Sequence, residues 1–346
     1  MMQGLKRSFL SALDSTGFNS LLPRISRDRL LVLCYHGVVS GSRADAREGY
    51  ENTVSIDEFA RHLEWLGRHY RFVDLAAALE CLERRDSGRP PVLITFDDGY
   101  RNNLSLAAPI LRRIGAPAVF FLSTAYVGTS RLLWPLEMDV RLEQSPGVEI
   151  FTPTLPQTPI RIPGDRELRA GLARRLRLEL KALPNQERLG YLEHLKTLTN
   201  LDPSKVDREL HDFMSWDEAR ELAALGFDIA SHTCEHPILS RLSEDELRFE
   251  LLESKARIEA ELGRPVTALA YPNGGISDYS PAVIAMAKAC GYSAAFAVDG
   301  TFQKTIAAQG AMSRYALSRI IVEGHLPETH FHFLASGARN LLRKVV

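Results

Sequence analysis

The chain has 346 residues, of which 45% are hydrophobic and 25% charged, and this ordinary soluble composition excludes a disordered, collagenous or coiled-coil protein. At this length one large domain or two ordinary ones are expected. Lysine plus arginine number 42 against 43 aspartate plus glutamate, a formal charge of -1, so no whole-molecule field draws the protein to nucleic acid or to an acidic membrane.

Residues 1–29 carry basic side chains but no apolar region of signal-peptide length, and no apolar run in the chain reaches about 18 residues, so a cytoplasmic protein is expected. Leu5, Phe9, Leu10, Leu13, Phe18, Leu21 and Leu22 make this segment amphipathic. It has two open fates, docking on the protein's own core or peripheral contact with a membrane. Cys34, Cys81, Cys234 and Cys290 lie far apart with no C-x-x-C pair, which points to reduced thiols rather than a disulfide scaffold or a cysteine-rich zinc site.

From residue 30 onward, strand and helix patterns alternate. Leu30 to Tyr35 is a continuous apolar run of the kind buried on both faces of a sheet, ending at His36-Gly37. Ser55-Ile56-Asp57-Glu58 is a capping box, after which Phe59, Leu63 and Leu66 recur at helical spacing. Tyr70 to Val73 reads as a weak strand, Leu75 to Leu82 as a helix, Val92 to Phe96 as a strong strand and Ala118 to Leu122 as the next. Further along come a helix at Trp216 to Leu225, a strand at Phe227 to Ala230, a helix opened by the capping box Ser243 to Glu246, and strands at Thr267 to Ala270, Ala294 to Val298 and Leu317 to Val322. Seven or eight strands linked by helices predict an α/β fold, a (β/α) barrel of about seven parallel strands built from residues 30–127 and 215–322.

Residues 128–214 interrupt the pattern. Pro146, Pro153, Pro156, Pro159 and Pro163 forbid a regular helix in the first part and predict an extended loop or edge structure. Leu168, Leu172, Leu176 and Leu180 then lie four apart among Arg166, Arg169, Arg174, Arg175 and Arg177, a helix with one apolar stripe and a basic remainder. The expectation is a helical cap inserted into the barrel, its arginines either a solvated face or a contact for phosphate or anionic lipid. Residues 323–346 are read as a C-terminal helix and tail.

Placed on this scaffold, the polar groups converge. His36, the pair Asp97-Asp98, the pair His232 and His236, and Tyr271-Pro272-Asn273-Gly274 all follow strand C-terminal ends, the face that carries the active site in parallel barrels. Adjacent carboxylates leaving one strand end repel each other and call for a cation, although a helix cap or Mg²⁺ site is an equal reading of the pair alone. His232 and His236 stand at i and i+4, either a surface pair or two ligands of one ion. A carboxylate with two imidazoles is a zinc ligand set that leaves a position open for water.

Thr95-Phe96-Asp97-Asp98-Gly99 and His232-Thr233-Cys234-Glu235-His236 resemble the T-F-D-D-G and H-[ST]-x-x-H motifs of the polysaccharide deacetylases with the NodB homology domain, carbohydrate esterase family 4. The resemblance spans about Leu30 to Val322 apart from the insertion. Leu33-Cys34-Tyr35-His36 and Ala270-Tyr271-Pro272-Asn273-Gly274 are most similar to the branch of poly-N-acetylglucosamine deacetylases. It implies a distorted (β/α) barrel, a divalent metal, most often zinc, held by Asp98, His232 and His236, and Asp97 as catalytic base. It also implies a backbone N–H oxyanion donor at Asn273, with Gly274 and Gly275 letting that backbone come close.

Two departures from the family pattern stand out. The arginine that opens the third motif and orients the base aligns with Ala270, so that tether is either missing or supplied from elsewhere, by Arg314 or Arg319. The L-x-H motif of the general acid is absent near the C-terminus, where His325, His330 and His332 occur in another context, so either Asp97 or His36 is left to return the proton. His36, Tyr100, Tyr271 and Gly274 are read as substrate-binding, Tyr100 and Trp216 being aromatics able to stack on a sugar or simply to pack. The expected activity is metal-dependent removal of N-acetyl groups from amino-sugar residues of a glycan or lipid-linked saccharide. Hydrolysis of another amide and a glycan-binding module without turnover are the alternatives.

Overall fold

The computed structural model describes residues 14–25, 29–41, 52–83, 88–300, 303–304, 314–324 and 327–338. In them the apolar runs become seven strands: β1 Arg29–Tyr35, β2 Pro91–Phe96, β3 Ala118–Leu122, β4 Asp228–Ser231, β5 Ala268–Ala270, β6 Ala294–Val298 and β7 Leu317–Ile321. Each pairs in parallel with the next, and β7 pairs back onto β1 with Leu33 opposite Ile320 and Cys34 opposite Ile321, which closes the barrel. The weak strand shrinks to Arg71–Phe72, beside the start of β2. Gln303–Lys304 adds an antiparallel pair to β1.

Alternation along the strands separates two apolar groups. Leu31, Leu33, Ile94 and Phe120 face the surrounding helices, whereas Leu30, Val32, Leu93, Phe121 and Phe296 belong to the group inside the barrel. The helices start where their chemistry dictates. Ile56–His69, Trp216–Ala224 and Glu244–Leu262 each open on a capping box in which a serine and a glutamate exchange hydrogen bonds with orphan backbone groups.

The insertion forms a layer of its own. Helix Trp134–Gln144, a hairpin of Glu149–Thr152 and Leu155–Arg161, and helices Arg166–Ala182 and Asn185–Leu198 follow one another. The hairpin is the edge structure the prolines permit, because Pro156 and Pro159 sit on an exposed strand whose outer edge needs no donor. Met138, Leu142, Ile150, Leu176, Leu180 and Leu195 make its apolar centre. The expected stripe of leucines is corrected in its first turn: Leu168 is 66% exposed, and Arg169, Ala173, Leu176 and Leu180 are the buried positions. A spacing of four drifts by about 40° per step on a helix of 3.6 residues per turn, so Leu168 rotates out of the stripe. Arg169 takes its place by donating to the carbonyls of Pro163 and Gly164 at 3.0 and 3.1 Å.

At the N-terminus, helix Phe18–Ile25 packs against Ile56–His69 and the C-terminal helix Glu328–Ala335. Leu22 is buried there, Leu21 is 52% exposed, and Asp14 pairs with His332 at 2.9 Å. The described part of the segment thus docks on the protein. Leu5, Phe9, Leu10 and Leu13 lie outside the described residues. Among the described residues no helix is long and apolar enough to cross a membrane.

Leu176 is fully buried at the centre of the insertion. Truncation to alanine should cost about 2–5 kcal/mol in urea unfolding, the range for a buried leucine whose site cannot collapse.

Candidate active site

Each functional side chain sits where a strand's inward face reaches its C-terminal end. On β2 the inward sequence Leu93, Thr95, Asp97 passes from apolar floor to carboxylate, on β1 it runs Val32, Cys34, His36, and on β7 Leu317 is followed by Arg319. The interior is narrow, and the small side chains Ala230, Ala268, Ala270 and Ala294 leave room in it for one long one. That side chain is Arg319, fully buried, its guanidinium 5.4 Å from the ring centre of Phe121 and 6.0 Å from that of Phe296.

Arg319 settles which arginine holds Asp97. Its Nη1 and Nη2 donate to Oδ1 and Oδ2 of Asp97, each at 2.7 Å, a two-pronged match of guanidinium and carboxylate. Nη1 also reaches Thr95 Oγ1 at 3.3 Å, and that hydroxyl donates to the Leu33 carbonyl at 2.8 Å. The Cys34 thiol donates to Asp97 Oδ2 at 3.3 Å. Burial alone would push Asp97 up, but the Arg319 charge, then His232 and the Arg319 hydrogen bonds, hold its carboxyl well below the usual carboxylate range. Arg314 instead pairs with Glu83 at 3.2 Å near the surface.

Asp98 has no such partner. Burial, and then the neighbouring Asp97 charge, push it up to about 8, against a hydrogen bond from Tyr100. Its Oδ1 is buried without a hydrogen bond and lies 3.5 Å from Nε2 of both His232 and His236. Burial lowers the proton affinity of both imidazoles, so each offers a lone pair. His232 Nδ1 lies 2.8 Å from the Ala270 carbonyl, an arrangement that puts the proton on Nδ1 and frees Nε2.

Ligands about 2.0–2.1 Å from a tetrahedral ion sit about 3.4 Å from one another, close to these separations. A divalent cation would also relieve the penalty on Asp98. By spacing, orphaned oxygen and donor chemistry, the three residues fit a metal such as zinc.

The backbone is strained here to aim these groups. Asp98, Thr233, His236 and Asn273 have φ of 74°, 68°, 52° and 61°, and among the described residues they are the only non-glycine residues at positive φ, a cost of about 1–3 kcal/mol each. Glu250 secures the histidine loop by accepting from the Cys234 and Glu235 amides at 2.7 and 3.0 Å. At Gly99, φ is 89° and a Cβ would lie 2.9 Å from Leu122 Cδ2, so the turn after the aspartates admits only glycine.

A cavity of about 350 Å³ lies over these groups, and His36, Asp97, Asp98, Tyr100, His232, His236 and Asn273 all line it. His36 is held neutral by burial, its proton affinity lowered to about 4. Tyr100 packs on Phe213 at 5.1 Å while its hydroxyl serves Asp98. The expectation for Tyr271 is corrected: its ring is fully buried against Tyr279 at 4.7 Å and its hydroxyl donates to the Tyr315 carbonyl at 2.8 Å, which turns it away from the cavity. Gly274 likewise touches no part of the cavity. It packs backbone to backbone, because a Cβ there would meet Val298 N at 3.1 Å, and its carbonyl accepts from that amide at 2.7 Å.

Trp216 lies under Arg257 on the outer helices and does not stack in the cavity. Of the C-terminal histidines, His332 stacks on Trp65 and pairs with Asp14. His330 borders an adjoining recess that shares Val298 and Ile321 with the cavity, and His325 lies outside the described residues. The sequence reading missed Thr95 and Cys34 as partners of the Arg319–Asp97 pair, and it missed Glu250, which no motif marks on its helix. A larger cavity of about 570 Å³ lies behind the histidine loop, between Trp134, Arg188 and Glu250. No metal-ligand cluster of described residues opens into it, so the chemistry belongs to the smaller one.

Comparison with known proteins gives the family and the fold. A family model described as polysaccharide deacetylase matches residues 84–295, a span that ends before Arg319. YxkH of Bacillus subtilis (strain 168), whose name places it with polysaccharide deacetylases, is 28% identical over 126 residues, 36% of this chain and 42% of that protein. The chain therefore matches less than half the length of that relative.

Among solved structures, the deacetylase PplD of Streptococcus pyogenes in complex with acetate aligns with a TM-score of 0.53 and 18% identity, covering 91% of this chain and 97% of that one. IcaB from Ammonifex degensii gives 0.55 and 20%, covering 90% and 97%. A de-N-acetylase from Aggregatibacter actinomycetemcomitans gives 0.55 and 18%, covering 88% and 99%. At these identities the structures establish a shared fold.

The two arginines separate in a stability measurement. Arg319→Met, which strands a buried Asp97 charge, should cost about 3–5 kcal/mol in urea unfolding at pH 7. Arg314→Met should stay within about 0.5 kcal/mol, as surface substitutions do.

Proposed function

We propose that this chain, which belongs to the polysaccharide deacetylase family and is by that membership a hydrolase of carbon–nitrogen bonds other than peptides, is a metal-dependent deacetylase of amino sugars. Its substrate in this reading is an N-acetylated glycan or lipid-linked saccharide of surface-polysaccharide metabolism. The observation that carries the proposal is the pairing of an ionised Asp97 with an unsatisfied ligand trio. Asp97 is clamped by Arg319 and stands 3.8 Å from His232, while Asp98, His232 and His236 offer ligand atoms within 4.8 Å of one another. The sequences at Leu33 to His36 and Ala270 to Gly274 support the poly-N-acetylglucosamine deacetylase branch within the family.

When bound by that trio, a zinc or similar ion supplies Lewis acidity toward the acetamide oxygen and acidifies water at its open position. The protein's own groups do the rest. Asp97, fixed in orientation and ionised throughout the neutral range, accepts the proton of the attacking water. Arg319 keeps the carboxylate from turning toward the cation and neutralises it while it waits.

The Asn273 backbone N–H has no hydrogen-bond partner among the described residues, and its left-handed backbone presents it beside the cavity. It is the donor for the oxyanion of the tetrahedral intermediate. With no L-x-H histidine near the C-terminus, protonated Asp97 returns its proton to the departing amine, a transfer made easy by a carboxyl held so acidic. His36 faces the same cavity as a neutral imidazole able to bind a sugar hydroxyl.

Acetate release from N-acetylglucosamine oligomers, followed by an enzyme-coupled assay, tests this. Asp97→Asn should lose on the order of 100-fold or more in kcat, as removal of a general base does, and retain its metal. Asp98→Ala and His232→Ala should lose metal and turnover together. Full turnover in the Asp97→Asn protein would overturn the base assignment.

A further inference from the structure

The insertion forms one wall of the catalytic cavity, and helix Arg166–Ala182 contributes Arg177 and Lys181 to its lining. Four residues apart, they share one face of that helix. Their circumstances differ. Arg177 is neutralised by Asp139 on helix Trp134–Gln144. Lys181 is half-buried, and among the described residues its ammonium has neither a hydrogen bond nor a carboxylate partner. Burial works against its charge, Asp278 supports it from a distance, and Arg177 opposes it.

The remaining charges of the cavity make this ammonium conspicuous. Asp97 cancels Arg319, and Asp139 cancels Arg177. Asp98 faces the cation its ligand set is built for, and the histidines are neutral. The wall is left with the charge of Lys181 and the excess of a divalent ion over one carboxylate. An uncharged saccharide would leave both unanswered, at the desolvation cost of a half-buried charge.

We propose that Lys181 is a specificity residue that binds a phosphate ester attached to the amino sugar, so that the substrate is a phosphate-linked N-acetylated sugar rather than an uncharged polymer. The sugar half of this statement rests on the deacetylase reading. The phosphate half rests on Lys181. A single compact ammonium suits a phosphate oxygen as a point charge, whereas a carboxylate is better matched by an arginine fork, and the guanidinium beside it already pairs with Asp139 through Nη1. The cavity, about 350 Å³, is at the small end of ligand pockets, room for one amino sugar and the group linked to it. Both a nucleotide diphosphate and a polyprenyl phosphate carry this chemistry.

The experiment compares methyl N-acetylglucosaminide with N-acetylglucosamine 1-phosphate, its uridine diphosphate ester and a short-chain prenyl diphosphate ester, all with zinc-loaded protein. The expected result is that kcat/KM favours the phosphate-bearing sugars over the neutral glycoside on the order of tenfold or more, a difference of about 1.4 kcal/mol. The preference should be carried by KM and fade at high salt. Lys181→Met should collapse that ratio and Lys181→Arg should keep most of it. The ranking of nucleotide, prenyl and bare phosphate identifies which carrier the enzyme uses.

Equal kcat/KM for neutral and phosphate-bearing sugars in the wild type, or an unchanged ratio in Lys181→Met, would overturn the proposal. Calorimetric binding of N-acetylglucosamine 1-phosphate and of the neutral glycoside to wild type and Lys181→Met keeps the two readings separable. Preferential, Lys181-dependent binding of the phosphate sugar with no hydrolysis of any sugar counts against the deacetylase and for the anion site. Hydrolysis with no charge preference does the reverse.

Discussion

Two adjacent buried carboxylates cannot both stay ionised without two cations, and this one constraint organises the mouth of the barrel. Asp97 and Asp98 leave the same strand end, 3% and 4% exposed. The protein answers each differently. Asp97 receives a fixed cation of its own, Arg319, in a two-pronged hydrogen-bonded pair. Asp98 receives none, and it is aimed between two neutral imidazoles. Identical side chains in adjacent positions thereby acquire opposite properties, one held ionised and the other pushed toward its neutral form for want of a cation.

A buried arginine is costly unless its charge is fully matched, and the rest of the barrel can be understood as the means of matching it. Alanines on β4, β5 and β6 clear the space, Phe121 and Phe296 flank the guanidinium, and Thr95 steadies it from below. The arginine expected at the end of β5 is replaced by Ala270, and its function passes to β7 across the barrel. Left-handed backbone at Asp98, Thr233, His236 and Asn273 then shapes the strand-end loops, and Asp98, His236 and Asn273 line the cavity. These strained residues persist because Glu250, Ser231 and neighbouring amides pin the loops around them.

The barrel was legible because its strands are continuous apolar runs and two of its helices begin on capping boxes the sequence marks, both of them local signals. The convergence of Asp97, Asp98, His232 and His236 was legible because they all follow strand C-terminal ends, while the roles of ligand and base came from the family resemblance. Choosing Arg319 over Arg314 required knowing which face of β7 points inward. The residue alternates with Leu317 inside the barrel, and only the paired strands reveal that parity. Tyr271 was misplaced for the same reason, since a residue directly after a strand can point toward the mouth or away from it. Leu168 left its stripe because a repeat of four outruns the helix. Lys181 carried no signal at all, because what distinguishes it from the arginines around it is the partner it lacks across the cavity.

Metal content tests the central claim most directly. Untagged protein purified without chelators, incubated with zinc and freed of excess, would be assayed by plasma mass spectrometry alongside the His232→Ala protein. About one divalent ion per chain in the wild type and none in the variant is the expected result for a three-ligand site of this kind. A wild type that holds no ion, or a variant that holds as much as the wild type, would contradict the division of labour between Asp97 and Asp98.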